Sequence, residues 1–377
     1  MSCKQSQNIS SSKLSSMSSY QSSSSKPRTS SLPLDLLRDI LSRLPTISLL
    51  KLRSVCREWR DVIDDPHFAA MHTTTGIESP RILLLLGPSR STEHWFAVDN
   101  EFLVTSLPKS AARSWLYGAR ASCHGLLCFD DLCQGLTYLL NPLTREIISL
   151  TSVEPWRVQW RPHRIGIGVD CLTRRYKIVR LSCSIDCAAR PIKAEVLDQG
   201  SRSWRDIASV PPSHLLGGPV FAAGSIHWEA AGGGGLVRIS SFDITKEEFA
   251  WTPCPELRDA HLVDLRGVLG LVDSSHQERL DVWAMKESGR WVKQYNVRLN
   301  SPCPVSGHWF LTVLGCGGRK IVFKYLESLL CYNPATDELE YVQRAGDAPD
   351  RRACSITISL LSPAKLWNAN KVLPWVA

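Results

Sequence analysis

The sequence lacks the signatures that would place the chain in a membrane or around a metal ion. A bilayer span needs about 18 or more consecutive apolar residues, whereas the run at 82–86 is only as long as a β-strand. The 13 cysteines are odd in number and include no Cys-x-x-Cys pair, a spacing common in zinc sites. Free thiols in such numbers favour a reducing compartment. We therefore expect no membrane segment, no metal and no cofactor, and a location in the cytoplasm, the nucleus or both.

Enzyme motifs are also missing. Gly166 and Gly168 lack the third glycine and the following helix of a dinucleotide site, and the segment 315–320 lacks the spacing of a phosphate-binding loop. The ten histidines form no His-Glu-x-x-His pattern. The segment 198–204 resembles the Asp box of sialidase propellers, which is itself a structural turn and favours hairpin architecture over catalysis. No catalytic residue is predicted.

Residues 1–31 form a leader of biased composition. The first 30 residues contain 14 serines, four Lys or Arg and no acidic residue. Such a segment buries too little apolar surface to order itself, and it also has the Ser-rich, acid-poor character of an organelle transit peptide. We interpret it as a disordered leader, with the transit peptide as the alternative.

The net charge of +8 comes from basic residues that are mostly interspersed with acids, which does not favour nucleic-acid binding. One basic group differs because tryptophans interleave it. The solvated rim of a β-domain is the commoner explanation, but Trp and Arg are enriched at the energetic centres of protein interfaces. This group is therefore our candidate for contact with a protein target: Trp156, Arg157, Trp160, Arg161 and Arg164.

Residues 32–68 have the pattern of three short helices. Apolar residues from Leu36 to Leu44 recur at the spacing of one helix face. Pro45 ends this first helix, and two more follow, the last of them ending at Pro66. Helices of this number and length form too small a core to be stable alone. We therefore expect a partner to cover part of their apolar surface.

The order of the proline, cysteine and tryptophan markers in this module resembles the F-box. Leu32-Pro33 matches the start of that family's pattern, Leu44-Pro45 its middle, and the segment 55–59 its Val-Cys-x-x-Trp end. An ordinary helical hairpin that caps a larger domain is the less specific alternative. The resemblance implies binding to a Skp-type adaptor through Leu32, Pro33, Leu36, Ile40, Leu41, Leu44, Pro45, Leu49, Val55, Cys56 and Trp59.

After residue 80 the pattern changes to β-hairpins. In a recurring unit an apolar residue precedes Asn or Asp, a hydroxyl residue follows three places on, and another apolar residue six places on. Asn and Asp begin such turns because their side chains fold back onto the backbone. The units are centred on Asn141, Asp170, Asp198 and Asn333, with degenerate copies at Asp243 and Met285.

The long period of these turns predicts a propeller. Turns at 198, 243, 285 and 333 are 45, 42 and 48 residues apart, which matches four-stranded blades. A β-sandwich has similar turns but not this even period. We predict an α+β chain in which a three-helix module precedes an all-β propeller of about six blades, with Ser355–Leu360 joining Ile82–Leu86 to close the ring. Trp204, Phe249 and Trp291 should be buried at equivalent positions.

The segments around these turns resemble the plant F-box-associated domain, which is kelch-like. The likeness covers roughly residues 80–345 and includes NPLTREIISL and LDVWAMKESGRWVKQY, but not the glycine run at 232–235 or the end of the chain. The predicted organisation is a leader at 1–31, an F-box at 32–72, a propeller at 80–360 and a tail at 361–377.

Together the two resemblances imply a substrate receptor of an SCF-type ubiquitin ligase. The F-box would bind the Skp-type adaptor and, through it, a cullin and a RING protein, while the propeller would hold a protein target for ubiquitination. The alternatives are a propeller-fold enzyme with a helical appendage and an F-box protein in a complex that is not a ligase.

Overall fold

The computed structural model describes the chain from residue 32 to residue 373 with gaps. The described residues are 32–75, 81–86, 102–106, 120–131, 136–150, 160–184, 192–276, 278–287, 289–299, 311–317, 320–325, 328–342, 352–369 and 372–373. The predicted leader lies outside them. No helix in these segments is both long and apolar enough to cross a membrane.

Short helices open the described chain. They are α1 Leu34–Ser42, α2 Thr46–Leu52, α3 Arg57–Ile63 and α4 Pro66–Thr74. At the start of α3 the Cys56 Sγ accepts the backbone N–H of Trp59 at 3.5 Å. At the start of α4 the carboxylate of Asp65 accepts the N–H of His67 at 3.0 Å. These contacts satisfy N–H groups that have no partner within their own helix.

The fourth helix was not predicted from the sequence. Pro66 was expected to end the third helix, but it occupies the first turn of α4. A proline at that position loses no hydrogen bond, because the N–H groups of a first helical turn have no intrahelical partner. The same residue type therefore marks the beginning of a helix as readily as the end of one.

The remainder of the described chain is almost entirely β-structure. Its strands are β1 Arg81–Leu86, β2 Phe102–Ser106, β3 Arg120–Cys123, β4 Leu126–Asp131, β5 Leu136–Asn141, β6 Glu146–Leu150, β7 Trp160–Val169, β8 Tyr176–Ser184, β9 Ile192–Asp198, β10 Arg205–Ile207, β11 Leu215–Ala222, β12 Ser225–Ala231, β13 Val237–Asp243, β14 Glu248–Thr252, β15 Ala260–Asp264, β16 Leu269–Asp273, β17 Arg279–Met285, β18 Trp291–Arg298, β19 Leu311–Gly317, β20 Lys320–Tyr325, β21 Ser328–Asn333, β22 Glu338–Val342 and β23 Arg352–Ile356. One further helix, α5 Pro363–Leu366, follows β23.

The strands of the described segments form six sheets in a ring. Blades 1 to 5 each contain four consecutive strands, beginning with β3, β7, β11, β15 and β19, and a closing blade combines β2, β1 and β23. The first strands of neighbouring blades contact one another, and β23 contacts both β19 and β3. Ile82 lies opposite Ser355 in an antiparallel pair. The ring therefore closes beside β1 as the sequence predicts, but the closing strand is Arg352–Ile356 and not the predicted Ser355–Leu360.

The Asn and Asp residues of the repeat lie at hairpin turns, as predicted. Most of these side chains accept the backbone N–H two residues ahead: Asn141 from Leu143 at 2.9 Å, Asp170 from Leu172 at 2.8 Å, Asp243 from Thr245 at 2.9 Å and Asn333 from Ala335 at 3.0 Å. Asp198 differs, because its carboxylate accepts a hydrogen bond from Arg205 at 2.9 Å.

The hairpin turns define one face of the propeller. In blade 1 the turn at 124–125 and the turn at 142–145 lie at the same end of the strands. We call this end of every blade the hairpin face. At the opposite end, the loop face, second strands connect with third strands and each blade continues into the next.

The three aromatic residues predicted to be buried are only half-buried. Trp204, Phe249 and Trp291 each lie in the fourth strand of a blade or directly before it, so their positions are equivalent. Their predicted equivalence is confirmed, but their burial is only partial because this strand is the outer edge of its sheet. In the described residues, the indole of Trp228, in the second strand of blade 3, is fully buried.

Candidate adaptor and target surfaces

Helix α1 divides its apolar residues between two faces. Leu37 and Leu41 are 2% and 0% exposed and pack into the core, whereas Leu36 and Ile40 are 53% and 47% exposed. Residues one position apart on a helix point about 100° away from each other, so the stripe predicted as one surface consists of two. Within the described residues, this outward face is an apolar surface that is left without full cover.

Further apolar side chains of the helical module are also exposed. Leu32 and Val55 are 47% and 59% exposed, and Leu34, which the sequence analysis did not select, is 45% exposed. Such exposure is unusual, because large apolar side chains are normally buried where the fold allows it. We call Leu32, Leu34, Leu36, Ile40 and Val55 the exposed apolar set.

The other residues assigned to adaptor binding fall into three groups. Pro33, Pro45 and Cys56 are exposed, and Leu44 and Trp59 are half-buried. Leu41 and Leu49, by contrast, are 0% exposed. A side chain without accessible surface cannot touch a partner, so these two residues support the helices from inside. The sequence pattern could not separate them because both faces of α1 are apolar.

Polar contacts hold the four helices together. Arg53 pairs with Asp64 at 2.7 Å, and Arg38 pairs with Asp65 at 3.2 Å. The Nε2 of His72 lies 2.7 Å from the carbonyl oxygen of Leu44 and thus joins α4 to the end of α1. These contacts fix the helices that carry the exposed apolar set relative to one another.

The helices pack against the propeller through one continuous apolar core. It contains Leu37, Leu49 and Phe68 of the helices, and it continues into blades 1 and 2. Leu361 and Trp367, from the segment after β23, belong to the same core. A cavity of about 320 Å³ lies between α3, the outer turn of blade 1 and α5. The helical module therefore lies on the hairpin face, near blade 1.

The predicted target-binding group is only partly within the described residues. Trp156 and Arg157 lie outside them, and Trp160 and Arg161 are described only as backbone of β7. Arg164 is half-buried, and its Nη2 donates to the carbonyl oxygen of Leu215, in blade 3, at 2.9 Å. Burial lowers the pKa of its guanidinium.

Arg164 is thereby reassigned from target binding to the contact between blades 2 and 3. The reason was not visible in the sequence, because the carbonyl that accepts its hydrogen bond lies 51 residues further on. The remainder of the predicted basic group stays a prediction. Its segment leads from the end of β6 into the start of β7, which are both at the loop face.

One group in the described part of the chain has side chains spaced for a metal: Asp273, His276 and Asp281. The carboxylate of Asp281 already accepts hydrogen bonds from Lys293 at 2.7 Å and from Asn296 at 2.6 Å. These contacts lower the pKa of Asp281 against the opposing effect of desolvation. Asp281 is therefore already paired with side chains of its own blade.

Comparison with known families agrees with this geometry. The F-box domain family matches residues 29–70, and the family described as F-box associated beta propeller domain matches residues 88–351, well over half of the chain. The chain belongs to the F-box-associated β-propeller family. This F-box protein thus combines a family domain for its helices with a second one for its ring of sheets.

Proteins of Arabidopsis thaliana are similar to this F-box protein. An F-box/LRR-repeat protein is 28% identical over 360 residues, with 87% of this chain and 80% of the relative covered. F-box protein CPR1 is 25% identical over 372 residues, with 88% of each chain covered. Among solved structures, TolB from Acinetobacter baumannii gives a TM-score of 0.41 at 10% identity, covering 63% of this chain and 56% of TolB. The F-box, the propeller and these F-box relatives support the general role of an SCF substrate receptor.

Proposed function

We propose that this F-box protein is a non-catalytic receptor that binds a Skp-type adaptor through its exposed apolar set and holds a protein target on its propeller. The observation that carries the proposal is the apolar surface of α1, with Leu36 and Ile40 half-exposed on helices otherwise packed against the propeller. Full burial of a leucine side chain contributes about 1.5–3 kcal/mol. A partner that covers this surface therefore gains affinity without a change in the helices.

The loop face is the proposed site for the target. The helical module occupies part of the hairpin face, where Thr144 and Glu146 line the cavity beside α3. The opposite face carries the connections between blades, and loops on a rigid scaffold are the usual place for binding residues. In this arrangement the adaptor and the target bind at opposite ends of the propeller.

The receptor acts by proximity. A target held on the propeller presents its lysines at a high effective concentration to a conjugating enzyme recruited through the adaptor, the cullin and the RING protein. Such a role needs no catalytic group in the receptor. The cysteines found free in the described segments include buried Cys123, Cys128 and Cys331, and we propose the cytoplasm, the nucleus or both as the location.

Joint replacement of Leu32 and Pro33 by Ala tests adaptor binding. We expect the adaptor to be lost from a pull-down of the purified chain, while the circular dichroism of the propeller is unchanged. The control is Leu172→Ala, which removes another exposed leucine, 79% accessible, from a hairpin turn of blade 2. Undiminished capture of the adaptor by the double variant would defeat the proposal. Capture of the adaptor without cullin by the wild type would favour a complex that is not a ligase.

The target surface requires a separate test. Replacement of Arg157 and Arg161 by Glu should weaken target capture and leave the adaptor bound, because the two surfaces lie on opposite faces. Arg164 is kept in this variant since its hydrogen bond to Leu215 joins two blades. Unchanged target ubiquitination by the purified assembly would remove this basic group from the proposal but leave the receptor role intact.

A further inference from the structure

The segment that follows β23 crosses from the closing blade to the F-box. We call residues 357–369 the strap. Near its start, Gly125 in the turn of blade 1 leaves room for it, since a Cβ at Gly125 would lie 2.6 Å from the Thr357 carbonyl oxygen and 2.5 Å from the Ser359 hydroxyl. Gly125 also has a φ of +83°, which favours glycine. The strap thus runs directly over the hairpin face.

The side chain of Asn141 makes hydrogen bonds both to the strap and to its own turn. Its oxygen accepts the N–H of Leu143, and its nitrogen donates to the carbonyls of Ser359 at 3.0 Å and Leu361 at 2.8 Å. Asn141 is 0% exposed. The equivalent residues of blades 2 and 3, at the ends of their third strands, are Asp198 and Asp243, which both carry a carboxylate. A carboxylate has no N–H to donate.

The far end of the strap contacts the F-box. Ser362 donates to the Glu146 carboxylate at 2.5 Å, and its hydroxyl accepts the N–H of Lys365 at the start of α5. The Nζ of Lys365 then donates to the carbonyl oxygen of Asp64, at the end of α3, at 2.6 Å. Trp367 is 3% exposed in the core that the helices share with blades 1 and 2. The strap is therefore bound to the propeller and to the F-box together.

We propose that the strap is an interdomain clamp, anchored by the Asn141 amide, that fixes the orientation of the F-box on the propeller. Without it, the F-box would move relative to the loop face, and α3 and α4 would open more often because they would lose contacts with the propeller. All contacts of the clamp lie within this chain, so the clamp does not depend on a bound partner. Its consequence for ubiquitin transfer, a defined distance between adaptor and target, rests on the proposed function.

Asn141→Asp is the variant that separates the clamp from the turn. The oxygen that caps the turn is retained, while a carboxylate oxygen replaces the N–H groups directed at the two strap carbonyls. The matched control is Asn333→Asp, since Asn333 caps the same turn in blade 5 by accepting from Ala335. Lys365→Ala is a second clamp variant at an exposed position, where loss of the side chain does not disturb the propeller. Its control is Lys246→Ala, at another exposed lysine.

Hydrogen–deuterium exchange of the full-length chain, without adaptor, measures the clamp. In Asn141→Asp we expect amides of α3, α4 and the strap to exchange at least tenfold faster, with blades 3 to 5 unchanged. In Lys365→Ala the same segments should exchange about two- to tenfold faster, the range for the loss of one hydrogen bond. The two control variants should leave α3 and α4 as in the wild type.

Three results would overturn the clamp. They are unchanged exchange of α3 and α4 in both clamp variants, an equal acceleration of these helices in Asn333→Asp, and an acceleration spread evenly over all blades in Asn141→Asp with no effect of Lys365→Ala. Because no adaptor is present, a failed adaptor pull-down would leave this measurement intact. A failed clamp would likewise leave the pull-down intact.

Discussion

The F-box and the propeller differ in how far they expose their large apolar side chains. In the F-box, five large apolar residues on a module of four short helices remain 45–59% exposed. In the propeller, Trp228, Phe129, Phe242 and Phe323 are fully enclosed between sheets. A ring of sheets covers both faces of each blade with its neighbours, whereas short helices have no second layer on the outside. The propeller encloses these side chains itself, whereas in the proposed function a partner covers those of the F-box.

The largest expected effect is in the propeller. Trp228→Ala should lower the free energy of unfolding of the propeller by roughly 3–5 kcal/mol, as for other large buried aromatics. The measurement is urea denaturation followed by fluorescence, with the adaptor pull-down in parallel. Leu172→Ala, at 79% exposure, is the control and should change stability by about 0.5 kcal/mol or less. A Trp228→Ala variant as stable as the control would contradict the enclosed core.

Helix α1 allows the comparison to be made within one element. Joint replacement of Leu36 and Ile40 by Ala should reduce adaptor affinity by more than about 2 kcal/mol, roughly 30-fold, with little change in stability. Leu37→Ala should instead cost about 2–5 kcal/mol of F-box stability, because Leu37 is buried. Calorimetric titration with the adaptor and thermal unfolding distinguish the two results. If both variants lost stability equally, the outward face would belong to the core.

His227 tests whether the enclosed core of the propeller excludes charge. Burial lowers the pKa of His227 to about 4, against the opposing hydrogen bond to the Ala222 carbonyl. Because the folded pKa lies below the unfolded one, its contribution to stability is present above about pH 6.5 and is lost as the pH falls toward 4. That loss amounts to about 3 kcal/mol. His227→Gln should remove this part of the acid sensitivity in urea titrations at pH 7 and pH 4.5, and an unchanged pH dependence would contradict it.

Asp130 should show the opposite sign. Burial raises the pKa of Asp130 to about 6, although the hydrogen bond from Thr137 at 2.6 Å opposes the shift. Its contribution to stability is therefore present below the unfolded pKa and is lost as the pH rises through 6. Asp130→Asn should be more stable than the wild type by about 1–3 kcal/mol at pH 8 and nearly equal to it at pH 4. A constant difference between the two pH values would show that the carboxyl group does not titrate in this range.

Local signals explain why the sequence predicted much of this fold. The turns at Asn141, Asp170 and Asn333 form through contacts within two residues, so a short pattern is enough to find them. The even spacing of the turns at the ends of successive blades then predicts four-stranded blades. The sequence signal of the F-box was equally local, since the order of its proline, cysteine and tryptophan markers specifies short helices.

Contacts between distant segments account for what the sequence did not predict. The part played by Arg164 depends on the Leu215 carbonyl in the next blade, and the strap after residue 356 matches no repeat. The second role of Asn141 left one weak signal, namely Asn where blades 2 and 3 have Asp. That difference acquires meaning only when the strap carbonyls are placed beside it.

The closing blade gives the chain an order of assembly. Ile82, near the start of the propeller, finds its partner Ser355 only after nearly the whole domain has been made. Such distant pairing is slow to form, and until it forms the edge of β1 on that side has no partner strand. During synthesis, the F-box therefore leaves the ribosome long before the ring can close. A chain that terminates ahead of β23 would carry the proposed adaptor surface on a propeller that stays open and that has no strap.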